Sequence, residues 1–339
     1  MMKRHGRAAA DQSYGGVFVY NLSSQLLEQY PFEVTAIQKG RGTYICTTSE
    51  GGKIIIGSFR GSKGRAEAIE HVLLRLKENG IEADEIIHTR EGEILAQEED
   101  ETWYYARKYM EGRECETRSR DDVLAAVEEL AKLHLVLQKV EDENLKIGGQ
   151  DYAMEVFRHN RELKKVRNYI HGKHKKNEFE MIFMRNYETF LKQALDVEHR
   201  PMKPNPGEAQ GQSGKQSWEA AMYGICHGDF NQHNVLFTHG KIIITNFEQA
   251  HYDVLVGDLA HFLRKLMEKH NFNIGLATDM LAAYEKRRKL LPEEWEQLYV
   301  RMAYPQKFWK VANHYFNANK AWVYNADDGR VSKLAFAAE

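Results

Sequence analysis

The stretch from Ile225 to Arg264 concentrates the residue types from which a reaction site is made. It reads I-C-H-G-D-F-N-Q-H-N-V-L-F, a short turn, K-I-I-I-T-N-F-E-Q-A, and then V-G-D-L-A-H-F-L-R after a brief link. The His-Gly-Asp turn presents one carboxylate, Asp229, and Asn234 follows at an x-x-x-x spacing. Val235 to Phe237, a turn at His239–Gly240 and Ile242 to Thr245 have the pattern of a buried hairpin. Such a hairpin returns the chain so that Asn246 lies beside Asn234. Phosphoryl transfer needs this kind of geometry: one carboxylate orients or accepts the proton of an attacking hydroxyl, and oxygen ligands hold Mg²⁺ against the phosphates. Asp229 is therefore the candidate catalytic base, with Asn234 and Asn246 as candidate metal ligands. The amide oxygen of Asn246 is neutral and a poor match for a hard dication, so Glu248 is a further candidate; in an extended segment it shares a face with Asn246. A lone His-Gly-Asp is a commonplace exposed turn. The weight lies in the constellation, closed by Asp258 at the head of an apolar helix.

The elements that must position these residues follow from periodicity. Ser23 or Ser24 caps a short helix over Gln25 to Tyr30, which Pro31 ends. Val34 to Gln38, Thr43 to Thr48 and Lys53 to Phe59 have strand character and are separated by glycine turns. Gly40 and Gly42 read as a hairpin turn, with a phosphate-cradling loop as the alternative. Glu67 to Glu78 has helical period, and Trp103 to Met110 is a further strand leading through E-G-R-E into the second half. There, Val123, Val127, Leu130 and His134 share one helix face, where His134 reads as a packed core histidine. Phe157 to Lys176 and Glu178 to Glu198 form a helical pair, the first with a basic outer face that balances against nearby acids. The aromatics at 304, 308, 315 and 322 read as a buttressing helix rather than a ligand cage.

With 339 residues the chain has room for two lobes of ordinary size. Lys and Arg total 47 against 49 Asp and Glu, so bulk charge points to neither nucleic acid nor a membrane surface. Cys46, Cys115 and Cys226 are odd in number and show no C-x-x-C spacing, the usage of reduced thiols. No run is long enough for a secretory h-region or a membrane span. The expected organisation is a lead over 1–16, a β-rich lobe over 17–110, a helical lobe over 111–325 with a Pro/Gly/Gln-rich loop at 199–217, and a tail over 326–339.

H-G-D-x-x-x-x-N, I-I-x-N-F-E and D-L-A-x-F-L-R together resemble the aminoglycoside/choline phosphotransferase branch of the kinase-like superfamily. Within it the chain resembles the CotS family of spore coat proteins, through L-L-E-Q-Y-P-F-E-V, G-R-G-T-Y-I-C-T-T-S-E-G-G-K, the helical insertion and Y-P-Q-K-F-W-K-V-A-N-H-Y-F-N-A-N-K-A-W. The resemblance implies an α+β, bilobal, protein-kinase-like fold, with a small antiparallel-sheet lobe over a larger helical lobe. It implies ATP and Mg²⁺ as cofactors, with adenine against the backbone of Lys108, Tyr109 and Met110. In that pattern the third strand supplies a lysine that grips the phosphates and pairs with a helix glutamate. Here Gly57 stands at the lysine position, Lys53 comes too early, and Arg60 lies just past the strand; Glu67 or Glu70 is the candidate helix partner. Asn246 stands where an active enzyme carries Asp. The resemblance thus implies a coat component with a degenerate or weakly active nucleotide site, made in the mother cell, deposited on the spore and partnered by other coat proteins. The alternative is a working phosphotransferase with a small-molecule acceptor.

Overall fold

The computed structural model describes residues 22–138, 147–200 and 221–320. The expected lead at 1–16, most of the loop at 199–217 and the tail at 326–339 lie outside them. Ser23 caps α1 (Ser24–Glu28) through its side chain. Strands β1 (Val34–Lys39), β2 (Thr43–Thr48) and β3 (Lys53–Phe59) form an antiparallel meander. Helix α2 (Lys63–Glu78), capped by Ser62, leads to the short strands β4 (Glu82–Ala83), β5 (Ile86–Ile87) and β6 (Leu95–Gln97). Strand β7 (Trp103–Lys108) then pairs with β3, setting Tyr105 opposite Gly57 and Arg107 opposite Ile55.

The chain crosses to the helical part through β8 (Arg113–Glu114), which joins β10 (Val235–Thr238), β11 (Lys241–Ile244) and β4 in one sheet. A Cβ on Gly112 would lie 3.1 Å from the Leu236 side chain and from the Phe237 carbonyl, so a glycine lets the crossover pack closely there. Helices α3 (Arg120–Leu137), α4 (Tyr152–His171) and α5 (Glu178–Glu198) follow, then β9 (Tyr223–Cys226) and β12 (His251–Val254), which pair with each other. The chain continues through α6 (Val256–Lys269), α7 (Ile274–Arg287), α8 (Pro292–Ala303) and α9 (Gln306–Lys320). The fold is the expected α+β arrangement, an antiparallel sheet followed by a helical part.

The main core runs from the inner face of α2 through α3, the hairpin and α6 to α7. A second core lies between α4, α5 and α9: Phe183 stacks on Phe308 at 5.2 Å and Phe179 on Tyr315 at 4.1 Å. Tyr304, Phe308 and Tyr315 are therefore buttressing residues, as expected, whereas Trp322 lies outside the described residues.

His159 is 1% exposed and stacked on Trp309 with ring centroids 3.4 Å apart. Burial, helped by the neighbouring Arg158, lowers its pKa from 6.5 to about 4. The unfolded state therefore takes up the proton first as pH falls, so this contribution is complete above pH 6.5 and lost on the way down to about 4. Thermal melts between pH 7 and 4.5 are expected to show an acid-induced loss of up to about 3 kcal/mol from this residue, absent in His159→Phe.

Candidate active site

The Gly228 turn is sterically specified. Its φ is +81°, and a Cβ there would lie 2.0 Å from the Gln249 carbonyl oxygen, so only glycine fits. Asp258, buried in the first turn of α6, accepts the backbone N–H of His227 at 2.6 Å and of Gly228 at 2.9 Å. His134 contacts the same carboxylate at 3.3 Å through Nε2, while its Nδ1 meets the Tyr284 hydroxyl at 2.6 Å. Burial opposes ionisation of Asp258, but the bond from His134 and the surrounding imidazoles hold its pKa at about 2. His134 is the core histidine expected from its helix face. His227 Nδ1 accepts the Asp229 N–H at 3.1 Å, which fixes the ring proton on Nε2, and Nε2 donates to the Thr245 carbonyl at 2.9 Å.

Asp229 projects from this turn. Asn234 donates its amide to the Asp229 carbonyl at 2.8 Å and to the carboxylate at 3.2 Å. Lys265 Nζ and His261 Nε2 lie 3.5 and 3.6 Å from Asp229 Oδ1. Burial raises the carboxyl pKa, but these two neighbours outweigh it and hold Asp229 well below the ordinary range. Asp229 is thus an ionised carboxylate under partial cationic restraint. His261 and Lys265 were not among the sequence candidates, although their i, i+4 spacing after Asp258 puts them on one helix face.

The hairpin forms as expected, Val235 opposite Ile244, and the Thr245 N–H bonds the Asn234 carbonyl at 2.9 Å. Asn234 and Asn246 are therefore brought to the same hairpin end. Asn246 is left-handed, φ 72°, and its N–H donates to the Asp84 carboxylate. Glu248 departs from the expected extended segment. Phe247–Gln249 is a short 3₁₀ turn, and the Glu248 carboxylate accepts the Tyr105 hydroxyl of β7. A Cβ on Gly57 would lie 3.7 Å from Glu248 Oε1. The Glu248 side chain is thus directed to Tyr105 and the Gly57 position of the sheet.

The remaining nucleotide-side candidates are also separated. Arg60 is exposed beyond β3, because the strand ends at Phe59 without bending back. Glu67 is on the exposed face of α2, whose inner face presents Ala66 and Ile69; Glu70 pairs with His88 at 2.8 Å. Lys53 caps the Tyr109 ring at 5.5 Å. The N–H groups of Lys108 and Tyr109 are committed to the Glu85 and Lys53 carbonyls, at 2.8 and 3.2 Å, so neither is free for an adenine edge. Met110 follows them into a cavity of about 200 Å³ shared with α2 residues.

Two arginines unforeseen in the sequence organise this region. Arg107, buried on β7, is held by both Asp84 oxygens at 2.9 Å. Burial opposes its charge, yet the Asp84 carboxylate outweighs it and keeps the pKa above the ordinary value. The pocket beside it, lined by Ile69 and Leu73 of α2 with Tyr105, Phe247 and Glu248, holds about 20 Å³, room for one water. Arg65 of α2 donates to the carbonyls of Ile147, Glu248 and Ala250, tying α2 to the segment that follows Asn246.

Among the described residues no group of three or more His, Cys, Asp or Glu could hold a metal ion. The ligands at the hairpin end are therefore the neutral amide oxygens of Asn234, whose nitrogen is bonded to Asp229, and of Asn246, a weaker set for a hard dication than a carboxylate.

Fold and turn together define a kinase-like phosphotransferase architecture. The chain belongs to the phosphotransferase enzyme family, whose model matches residues 33–299. An aminoglycoside phosphotransferase from Alicyclobacillus acidocaldarius superposes with TM-score 0.75 at 16% identity, over 95% of this chain and 92% of that one. A microcompartment-associated aminopropanol kinase gives TM-score 0.62 at 15% identity, over 93% of each chain. An amicoumacin kinase bound to AMP-PNP and Ca²⁺ gives 0.59 at 14%, over 92% of this chain and 89% of that one. No curated protein matches the sequence.

A double-mutant cycle tests the Arg107–Asp84 pair. Arg107→Met strands a buried carboxylate and is expected to cost about 3–5 kcal/mol in urea unfolding. Arg107→Met with Asp84→Leu should recover most of that, leaving about 1–3 kcal/mol for the unpaired Asn246 N–H.

Proposed function

We propose that the protein is a CotS-like spore coat component in which a phosphotransferase fold serves assembly and ligand binding, with a degenerate nucleotide site. The observation that carries the degeneracy is the Glu248 carboxylate held by Tyr105 beside Gly57. Phosphoryl transfer is largely electrostatic positioning, and an acid beside the strand position where the resembled pattern has its lysine, with an amide where it has a carboxylate, supports a weakened site. Synthesis in the mother cell, deposition on the spore and contacts with other coat proteins follow from the CotS resemblance of both chain ends.

A second reading is an active ATP- and Mg²⁺-dependent phosphotransferase acting on an alcohol. It is favoured by one observation, the ionised Asp229 held among Asn234, His261 and Lys265. In that reading Asp229 orients the acceptor hydroxyl, and Lys265 steadies the carboxylate without taking its place.

Thermal melts with and without millimolar Mg²⁺–ATP separate the two. A ligand at a hundred times its Kd adds about 2.7 kcal/mol, a readily visible shift. The wild-type midpoint is expected not to move. Asn246→Asp should lower the metal-free midpoint, because it sets a carboxylate beside Asp84, and should introduce a Mg²⁺-dependent rise. A wild-type shift that requires Mg²⁺ would overturn the degenerate reading in favour of the second.

A further inference from the structure

The acids expected to balance the basic outer face of α4 do not lie on it. Val156, Leu163, Val166 and Ile170 turn into the second core, so the opposite face carries Arg158, Arg161, Lys164 and Lys165, all exposed. Glu162 sits to one side, where its carboxylate accepts the Trp309 indole N–H at 2.8 Å, and Glu155 turns toward His159. Glu180 of α5 is buried and bonded to Lys173 and the Tyr315 hydroxyl. Helix α9 packs along α4 through Trp309 and Phe316; it contains no Asp or Glu and exposes Lys310 and His314.

Those four cations are also unpaired. None lies within ion-pair distance of a carboxylate among the described residues, whereas exposed cations elsewhere on the helical part are matched: Lys192 with Asp196, Arg200 with Glu296, Lys286 with Glu128 and Arg120 with Asp279. Arg158 and Arg161, and Arg161 with Lys164 and Lys165, stand three or four residues apart, spacings at which like charges repel and weaken a helix. The fold gains no stability from this arrangement. Apolar side chains share the face. Met154 is 61% exposed and Phe157 44%, one turn apart at its start, and Tyr169 is 38% exposed near its end. A cationic face studded with exposed apolar groups lacks an anionic partner that also offers apolar contact.

We infer that the outer face of α4 docks on an anionic lipid bilayer, with Arg158, Arg161, Lys164 and Lys165 on the headgroup phosphates and Met154 and Phe157 in the acyl boundary. Charge complementarity calls for an anion, and the apolar pair chooses among anions. Nucleic acid engages exposed rings by stacking, but Met154, the most exposed apolar group on the face, has no ring to stack. Nor does α4 stand clear as a rod that could enter a groove, since α5 and α9 pack against it. Its 20 residues, lying along the surface, give a contact line about 30 Å long. The net charge of −2 for the whole chain masks this local face. The inference depends on neither reading of the Asp229 cleft.

The test is co-sedimentation of the full chain with vesicles of phosphatidylcholine, alone or with phosphatidylglycerol added as the anionic lipid. The anionic vesicles should bind at least about tenfold more tightly than the neutral ones, and raising the salt from about 0.1 to 0.5 M should weaken that binding strongly. Lys164→Glu with Lys165→Glu should lose at least about tenfold, since each basic residue contributes roughly fivefold near an anionic surface. Met154→Ser with Phe157→Ser keeps every charge and should still weaken binding several-fold. All four positions are exposed, so both double variants are expected to melt as the wild type does. Equal binding to neutral vesicles, no binding to either kind, or full binding by either double variant would overturn the inference. Tighter binding of a duplex or single-stranded oligonucleotide than of the anionic vesicles would assign the face to nucleic acid instead. A salt-sensitive dimer that Lys164→Glu with Lys165→Glu abolishes would assign it to a second copy of the chain.

Discussion

The site depends on one buried carboxylate. Asp258 is charged in an environment that disfavours charge, and it remains so because two backbone N–H groups and His134 converge on it. Those two N–H groups belong to the turn that aims Asp229, so the cost of burying the charge is offset by the same bonds that fix the base. The restraint extends further. His227, held by Asp258 at its backbone, passes its ring proton to the Thr245 carbonyl and so couples the turn to the end of the hairpin. Tyr284 of α7 secures His134 from behind. A catalytic turn, a hairpin and two helices thus share one polar network inside an apolar core.

The sheet side of the cleft is held differently. Its residues form a set of satisfied interactions: Arg107 with Asp84, Asp84 with the Asn246 N–H, Glu248 with Tyr105, and Arg65 with three carbonyls. The register that sets Tyr105 against Gly57 supplies a hydroxyl donor for Glu248, the acid nearest that strand position.

How far this could be read in the sequence depended on whether the cause was local. Strands β2 and β3 and helix α5 fell within the stretches where the sequence put them, and the fold class came from the family resemblance. Asp229, Asn234 and Asp258 were legible because the turn and the helix start are contiguous in the chain. Arg107 and Asp84 were not, since 23 residues separate them and only the β3–β7 register and the β4 crossover bring them together. Glu248 was misplaced for a different reason. The left-handed Asn246 ends the strand and starts a 3₁₀ turn, which breaks the two-residue alternation on which the shared face with Asn246 depended.

Arg65 bears on what the two halves can do. In a bilobal enzyme the helix of the sheet lobe moves to assemble and release the phosphate grip. Here that helix is bonded through Arg65 to Ile147 and to the turn after Asn246, with burial lowering the pKa of the guanidinium and its charge answered by carbonyl dipoles. Movement of α2 would leave those carbonyls unpaired and return a half-buried cation to water. Arg65 therefore couples any displacement of α2 to the segment that follows Asn246, so the sheet part and the Asp229 side of the molecule respond to each other through one guanidinium.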